Sequence, residues 1–165
     1  MVTAVVADVM DASNITILPE LTKAVILATA LHNIEGSTRL ERAVGSAAWA
    51  GLVARHDQLL RDAIEGHEGV VVKTEGDAFF AAFDRAASAA AAAAAAQRSV
   101  AGEAWPDGLE LKVRMGLHLG EGRLRRAGGP ADEPQDYVGI DVNYAARIAA
   151  AGNGGQIVLS DALVE

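Results

Sequence analysis

Residues 70–83, VVVKTEGDAFFAAF, contain two apolar runs separated by a short Glu-Gly-Asp sequence at 75–77. A glycine-containing turn between two such runs predicts a β-hairpin. Lys73 and Asp77 place two opposite charges inside this apolar segment, where a lone buried charge would be costly. Two interpretations stay open: an edge hairpin whose charges reach water, or a site in which the carboxylate binds a metal and the lysine binds a ligand.

Composition limits the classes of protein to which the chain can belong. It has 165 residues, 51% of them hydrophobic, which is enough for one globular domain with a buried core. A formal net charge of -8 argues against a general binder of nucleic acid, because the phosphates would repel it. The absence of cysteine excludes disulfides and thiolate metal sites, and it fits a reducing cytoplasm, which is the location that we expect.

The sequence gives no sign of a membrane segment or a leader. No apolar stretch reaches the roughly 20 residues that span a bilayer. The first ten residues are apolar but carry Asp8 and no basic leader, so they make a poor signal peptide. We therefore expect no membrane contact within this segment.

Hydrophobic periodicity predicts the elements that precede the hairpin. The continuous apolar run over residues 22–31 predicts a buried strand. A helix is expected over residues 39–64, with an N-cap at Ser37 or Thr38 and a break near Gly45, because apolar residues recur at helical spacing.

Further elements are expected after the hairpin. The alanine-rich segment predicts a helix capped by Asp84 or Ser88, since alanine has the highest helix propensity. Residues 109–119 alternate apolar and polar side chains, which predicts a half-buried strand with a polar face that includes His118. A structural hydrogen bond is the interpretation that we prefer for this histidine. The other predicted bounds are a helix over 86–100, a helix over 142–151 and a strand over 156–159.

The order of these elements predicts the fold class. Strand hairpins mixed with helices favour an α+β protein, in which a sheet is covered by helices on one side.

Five stretches together, in order, resemble the catalytic domain of class III nucleotidyl cyclases, and most of all the bacterial adenylate cyclases. They are IEGSTRL (34–40), KTEGD (73–77), VRMGLH (113–118), DYVGIDVNYAAR (136–147) and GGQIVLS (154–160). The resemblance covers about residues 22–161 and implies a ferredoxin-like βαββαβ core with a mostly antiparallel sheet covered by helices. It divides the chain into an N-terminal extension, 1–21, and a cyclase-like catalytic domain, 22–165, which lacks the C-terminal end usual in the family.

The resemblance implies a reaction and a metal site. The ribose 3′-hydroxyl of ATP would attack its own α-phosphate, giving 3′,5′-cyclic AMP and pyrophosphate. Two divalent ions, Mg²⁺ or Mn²⁺, can assist such a displacement, and they need hard oxygen ligands. Asp77 matches one of the two metal carboxylates, and the carbonyl of Ile34 matches a further ligand. Asn33 stands at the position of the second carboxylate, so the site has one negative charge fewer than is usual.

The resemblance also assigns residues to the substrate. Gly36 and Ser37 open a helix whose N–H groups suit phosphate oxygens, and Arg114 matches an arginine that contacts the polyphosphate. Lys73 and Asp136 match the pair that reads the base. A lysine donor and a carboxylate acceptor suit N1 and the N6 amino group of adenine, so ATP is favoured over GTP.

Two further residues are implied in catalysis. Asn143 and Arg147 lie four apart, on one face of a predicted helix. In the family such residues position the ribose and stabilise charge on the transferring phosphate. The family builds each site from two chains, so the resemblance implies a head-to-tail homodimer in which Lys73 and Asp77 serve different sites. A monomer should then be inactive.

Two alternatives stay open. Because of Asn33, the chain could be a degenerate cyclase-like domain that binds nucleotide, or only dimerises, as a regulatory module. An unrelated ferredoxin-like binding module is the third interpretation. Glu35, beside the predicted metal loop, suits either a solvated helix-dipole role or a ligand role.

Overall fold

The structure is a computed structural model that describes residues 5–8, 25–28, 34–120, 123–125, 136–138 and 140–164, and it contains both strands and helices. The strands are β1 (Val5–Asp8), β2 (Val25–Ala28), β3 (Val70–Glu75), β4 (Ala78–Phe83), β5 (Met115–Leu119), β6 (Arg123–Arg125), β7 (Asp136–Val138) and β8 (Gln156–Leu159). The helices are α1 (Ser37–Val44), α2 (Ser46–Glu65), α3 (Ala86–Gly102), α4 (Ile140–Ala151) and α5 (Asp161–Val164). Within these ranges, no helix combines the length and the apolar character that crossing a bilayer requires.

Among the described residues, the main sheet has six strands in the order β1-β8-β5-β2-β4-β3, and β6 and β7 form a separate sheet of two strands. All neighbouring strands are antiparallel except β5 and β8, which are parallel. The four strands β5-β2-β4-β3 have the order of a ferredoxin-like βαββαβ unit, with α1 and α2 as the first crossover and α3 as the second. The predicted fold class, α+β with a mostly antiparallel sheet, is confirmed.

The N-terminal strand joins this sheet. β1 lies in the segment predicted as an N-terminal extension, and it pairs antiparallel with β8. The domain boundary at residue 21 stays a prediction, since residues 9–24 lie outside the described part of the chain.

The predicted hairpin is present as β3 and β4, which close on the pair Glu75 and Ala78. Gly76, in the two-residue loop, has a φ of 62°, a left-handed conformation that glycine adopts without strain. The strand pairing shifts by one residue between Val71 and Lys73, so β3 contains a bulge at Val72. Asp77 is therefore a turn residue and does not interrupt an apolar strand.

The two faces of the sheet are both covered, which corrects the expectation of helices on one side. Successive residues of β4 point to opposite faces. Phe79 belongs to the main core, which also contains residues of α2 and α3, whereas Phe80 packs with Ala145 of α4. Both faces of β4 are apolar, so each face needs a helical cover.

Helix ends differ from the predictions more than helix bodies do. The break at Gly45 is confirmed, with a φ of 83° between α1 and α2. The N-cap of α1 is Gly36, not Ser37 or Thr38, and no side chain caps it. The N-cap of α3 is Arg85, so the predicted caps at 84 and 88 are wrong. Helix-start residues were identified by type, whereas the preceding backbone conformation decides which one is the cap.

β5 is shorter and more buried than predicted. It covers residues 115–119, and Val113 before it forms only an isolated bridge with Ile34. All five residues of the strand are buried, so the predicted polar face does not reach solvent. The reason is α4, which lies against that face at Gly116. A Cβ atom added at Gly116 would lie 2.4 Å from the backbone nitrogen of Ala149.

Replacing Gly116 by alanine should lower the free energy of unfolding by about 1–3 kcal/mol, because the backbone of α4 would have to move. Gly51→Ala is a matched control, since nothing lies within 4 Å of a Cβ at that helical position. This control should raise stability by roughly 0.5–1 kcal/mol through helix propensity. Urea unfolding measures both. Equal stabilities of Gly116→Ala and the wild type would contradict the close packing of α4 on β5.

Candidate functional site

A pocket of about 320 Å³ opens at the N-terminus of α1. Its wall combines the loop before α1, one residue that precedes β5 and one that follows α4. The lining residues are Ile34, Glu35, Gly36, Ser37, Thr38, Arg114 and Gly154.

Backbone hydrogen bonds hold the three pocket segments together. Glu35 donates its N–H to the carbonyl of Lys112 at 2.9 Å, and Gly155 donates to the carbonyl of Val113 at 2.8 Å. The segment that carries Arg114 therefore lies between the loop before α1 and the loop before β8. Ile34, only 1% exposed, anchors its loop in the core.

Two glycines shape the pocket by the absence of a side chain. Gly36 has a φ of 72° and turns the chain into α1, whose N-terminal end faces the pocket without a side-chain cap. A Cβ at Gly154 would lie 2.7 Å from the Cβ of Lys112 and 2.6 Å from a carboxylate oxygen of Glu35, so a larger residue would force its neighbours to move. Gly154 was not predicted as a site residue. The adjacent pair Gly154 and Gly155 was the available signal, but it indicated only the end of a helix.

Two groups that attract anions, the N-terminus of α1 and Arg114, meet in this pocket beside the acidic residue Glu35. A helix N-terminus carries a partial positive charge that attracts anionic oxygens. Arg114 lines the same pocket, and its Nε atom is buried without a hydrogen-bond partner among the residues that the structure describes. An arginine with an unpaired N–H group is suited to donate hydrogen bonds to phosphate oxygens. The pocket can therefore bind a phosphate or a similar anion.

Asp77 connects the hairpin turn to the pocket. Its Oδ2 atom accepts a hydrogen bond from the Ile34 N–H at 3.0 Å, across 43 residues of sequence. The Ile34 carbonyl accepts a hydrogen bond from the Ser37 N–H at 3.0 Å. The carboxylate of Asp77 and the main-chain carbonyl of Ile34 thus lie beside the pocket that can bind phosphate.

These donors fit a metal that is bound together with phosphate. Within the described ranges, no three histidine or acidic side chains form a cluster that could hold an ion alone. Mg²⁺ commonly takes one or two carboxylates and completes its coordination with substrate phosphates and water. Asp77 and the Ile34 carbonyl fit that pattern. Asn33, the predicted third ligand, lies outside the described residues.

The two residues predicted to read the base lie on strands of two different sheets, since β7 pairs only with β6 among the described residues. Lys73 is paired with Phe80 in the hairpin, and Asp136 is the first residue of β7. β7 contacts β3, which brings the two segments close together. The side chains of Lys73 and Asp136 lie outside the described part, so their role in binding stays a prediction.

The structure does not bring Asn143 and Arg147 to the pocket. Both are exposed on α4, and neither lines the pocket at α1. The predicted shared helix face is confirmed by this common exposure. Their catalytic roles stay predictions.

A buried polar group beneath α4 was only partly predicted. The structural hydrogen bond expected for His118 is confirmed, because its Nδ1 atom lies 2.8 Å from Ser160 Oγ. Sequence reasoning missed that Asp141 and Tyr144 of α4 also approach this ring. The signal was the spacing of Gly116, His118 and Gly120 along one face of the strand.

Comparisons with known proteins bear on this geometry. The family model described as "Adenylate and Guanylate cyclase catalytic domain" matches residues 27–165. An adenylate cyclase of Mycosarcoma maydis is 36% identical over an alignment of 129 residues, which covers 67% of this chain and 5% of the fungal protein. An uncharacterized protein of Mycobacterium bovis is 39% identical over 134 residues, which are 80% of this chain and 41% of that protein. The chain thus spans less than half the length of these relatives.

Solved structures share the fold. A structure of an adenylate cyclase from Trypanosoma brucei in its monomeric state has a TM-score of 0.77 at 23% identity, covering 90% of this chain and 77% of that chain. The adenylyl cyclase CyaB from P. aeruginosa has a TM-score of 0.74 at 20% identity, covering 84% of this chain and 76% of that chain. At these identities, the likeness concerns the fold alone.

Proposed function

The chain belongs to the adenylate and guanylate cyclase catalytic-domain family, and from this premise we propose that it converts ATP into 3′,5′-cyclic AMP and pyrophosphate in a homodimer. The observation that carries the proposal is the hydrogen bond from the Ile34 N–H to Asp77, which sets a carboxylate beside a phosphate-type pocket. The names of several curated relatives, adenylate cyclases of fungi, favour a cyclic nucleotide product.

Asp77 and the Ile34 carbonyl would hold Mg²⁺ or Mn²⁺, with Asn33 as a neutral neighbour. When bound, such an ion polarises phosphoryl oxygens and lowers the pKa of a coordinated hydroxyl. The protein's part is orientation. The Ile34 N–H fixes one oxygen of the Asp77 carboxylate, so the carboxylate does not have to be reorganised when substrate arrives.

Phosphate oxygens of ATP would bind at Gly36 and Ser37, against the N-terminal end of α1. Arg114, which lines the same pocket, would neutralise the charge of the polyphosphate. Both groups stabilise the charge that builds on pyrophosphate as it leaves. The base and ribose would extend from this pocket toward the second subunit.

The base would lie near the contact between β3 and β7 of the other subunit, the one that does not supply Asp77 to that site. Lys73 would donate to N1 of adenine and Asp136 would accept from the N6 amino group. Guanine presents a donor at N1 and an acceptor at C6, so the same pair would disfavour the binding of GTP.

ATP as the substrate and the absence of cysteine both favour a cytoplasmic location.

Asn143 and Arg147 would complete the active site of a partner subunit. Their exposure on α4, apart from the pocket of their own chain, supports a site shared between two copies. Ile140, at the start of the same helix, is 85% exposed, and such an apolar residue suits an interface. Asn143 would then orient the ribose and Arg147 would stabilise charge on the α-phosphate as it is transferred.

The proposal is tested by assaying product from ATP and from GTP in the presence of Mn²⁺. Asp77→Ala should lower the rate at least about 100-fold, since a bound metal supplies several kcal/mol of stabilisation. Asp84→Ala is the matched control, because this exposed aspartate lies at the other end of β4 and should keep wild-type activity. Equal rates for Asp77→Ala and the wild type would refute the enzyme proposal, and a preference for GTP would refute the base assignment.

A degenerate domain that binds nucleotide without turnover is the second candidate. Asn33, in the place of a metal carboxylate, is the observation that favours it. Nucleotide binding without product at any Mn²⁺ concentration would select this candidate. Family membership argues against the unrelated binding module.

A further inference from the structure

The face of β5 toward α4 is nearly devoid of side chains. Gly116 and His118 are the residues of β5 on this face, and Gly120 follows the strand directly. A Cβ at Gly116 would lie 2.4 Å from the Ala149 nitrogen, and one at Gly120 would lie 2.5 Å from the Cβ of Asp141. The helix therefore approaches the strand closely at both of its ends, and the ring of His118 occupies the space between.

The His118 ring contacts the sheet and the helix together. It is 6% exposed, and its Nδ1 atom shares a hydrogen bond of 2.8 Å with Ser160 Oγ, at the end of β8. Its Nε2 atom lies 3.6 Å from an Asp141 carboxylate oxygen and has no hydrogen-bond partner among the described residues. The ring of Tyr144 meets it edge to face, at 4.9 Å between centroids. The His118 side chain thus lies against two successive turns of α4.

The opposite side of α4 carries the predicted catalytic residues. Ala145 and Ala149 are fully buried against the sheet, whereas Asn143 and Arg147 are exposed. A helix turns about 100° per residue, so the exposed pair lies across the helix from the buried pair. Any translation or rotation of α4 on the sheet would displace both exposed side chains together.

We propose that His118 is a positioning residue, which sets the height and rotation of α4 so that Asn143 and Arg147 reach the reacting phosphate and ribose. The inference rests on the proposed function in that these two residues act in catalysis. Histidine is suited to the position because it fills the volume of a flat ring and also offers a polar atom to the buried hydroxyl of Ser160. An apolar side chain would fill the space but leave that hydroxyl unpaired.

His118→Leu tests the proposal, with His118→Asn as the conservative variant and His56→Leu as the matched control. His56 is a fully buried histidine of α2, which packs against Phe79 on the other side of the sheet. His118→Leu should lower kcat about 10- to 100-fold, because an error near 1 Å in placement has this effect. Its KM for ATP should change less than about threefold, since the lost stabilisation belongs to the transition state.

The other variants separate positioning from general destabilisation. His118→Asn places an amide near the position of Nδ1 and should recover kcat to within about fivefold of the wild type. His56→Leu should keep kcat per folded molecule even if its melting temperature falls. Hydrogen exchange of the α4 amides should rise about tenfold in His118→Leu, with α3 unchanged.

A kcat of His118→Leu within about threefold of that of His56→Leu would overturn the proposal. If the wild type forms no cyclic nucleotide, the proposed function fails, and exchange in α4 alone decides the positioning: unchanged exchange in His118→Leu overturns it, and faster exchange supports it. Should His118→Leu fail to fold, the same readings are made on Ser160→Ala, which removes only the hydroxyl partner. Unchanged kcat and unchanged α4 exchange in Ser160→Ala would equally overturn the proposal.

Discussion

Equal amounts of Asp77→Ala and Arg147→Ala chains, co-expressed, should recover about a quarter of wild-type cyclase activity, although each variant alone is nearly inactive. The reason is the separation of the pocket from the exposed residues of α4. In a mixed dimer, one site would combine both defects, and the other would have an intact Asp77 and an intact Arg147. About half of randomly assembled dimers are mixed, and half of their sites are intact. Cyclic AMP formation across mixing ratios measures the recovery.

A pair of variants from the same pocket gives the control. Arg114 lines the pocket that Asp77 reaches through Ile34, so both residues should serve one site. Mixing Asp77→Ala with Arg114→Ala should therefore recover no activity, since every site would have one defect. Recovery in this control, or none with Arg147→Ala, would contradict a site shared between subunits in the proposed way.

Asn33→Asp should raise turnover about 10- to 100-fold at limiting Mn²⁺, because it supplies a second carboxylate for the divalent ions. Asn33 directly precedes Ile34, whose N–H is bound by Asp77. A carboxylate there would add one negative charge beside the proposed metal. Initial rates over a Mn²⁺ titration give both the maximal turnover and the metal dependence.

The control for this gain is a charge added elsewhere. Ala47→Asp places one carboxylate at an exposed position of α2 and should leave the rate unchanged. If Asn33→Asp changed neither the maximal rate nor the Mn²⁺ dependence, the missing charge would not limit this protein. A gain from complete inactivity would instead show that Asn33 is what makes the natural chain a degenerate member.

Local sequence signals were sufficient for the bodies of most elements. The turn at 75–77, the break at Gly45 and the alanine-rich helix were each predicted from neighbouring residues, and the structure has them. The burial of β5 could not be predicted in this way. The sequence correctly predicts the alternation along the strand. Whether the polar face is exposed to water depends on α4, which begins at Ile140, far along the chain.

In the candidate site, too, some features could be predicted from the sequence and others depend on contacts between distant segments. Its residue types follow from the family resemblance, and the shared exposure of Asn143 and Arg147 follows from their spacing by four residues. The hydrogen bond between Ile34 and Asp77 joins segments 43 residues apart, and no local pattern encodes it. The role of Gly154 in shaping the pocket could not be predicted from the sequence, because it depends on the folded structure, which brings the Glu35 carboxylate beside it.

The contact between β5 and α4 restricts which sequence changes can improve it. Glycine is the smallest residue, so every substitution at Gly116 or Gly120 adds atoms where the helix already touches the strand. A substitution at either glycine can therefore loosen the contact between β5 and α4 but cannot tighten it. The outward side of α4, with Asn143 and Arg147, is free of that restriction. The exposed residues of α4 can therefore change during evolution, while the glycines that pack against its buried side stay the same.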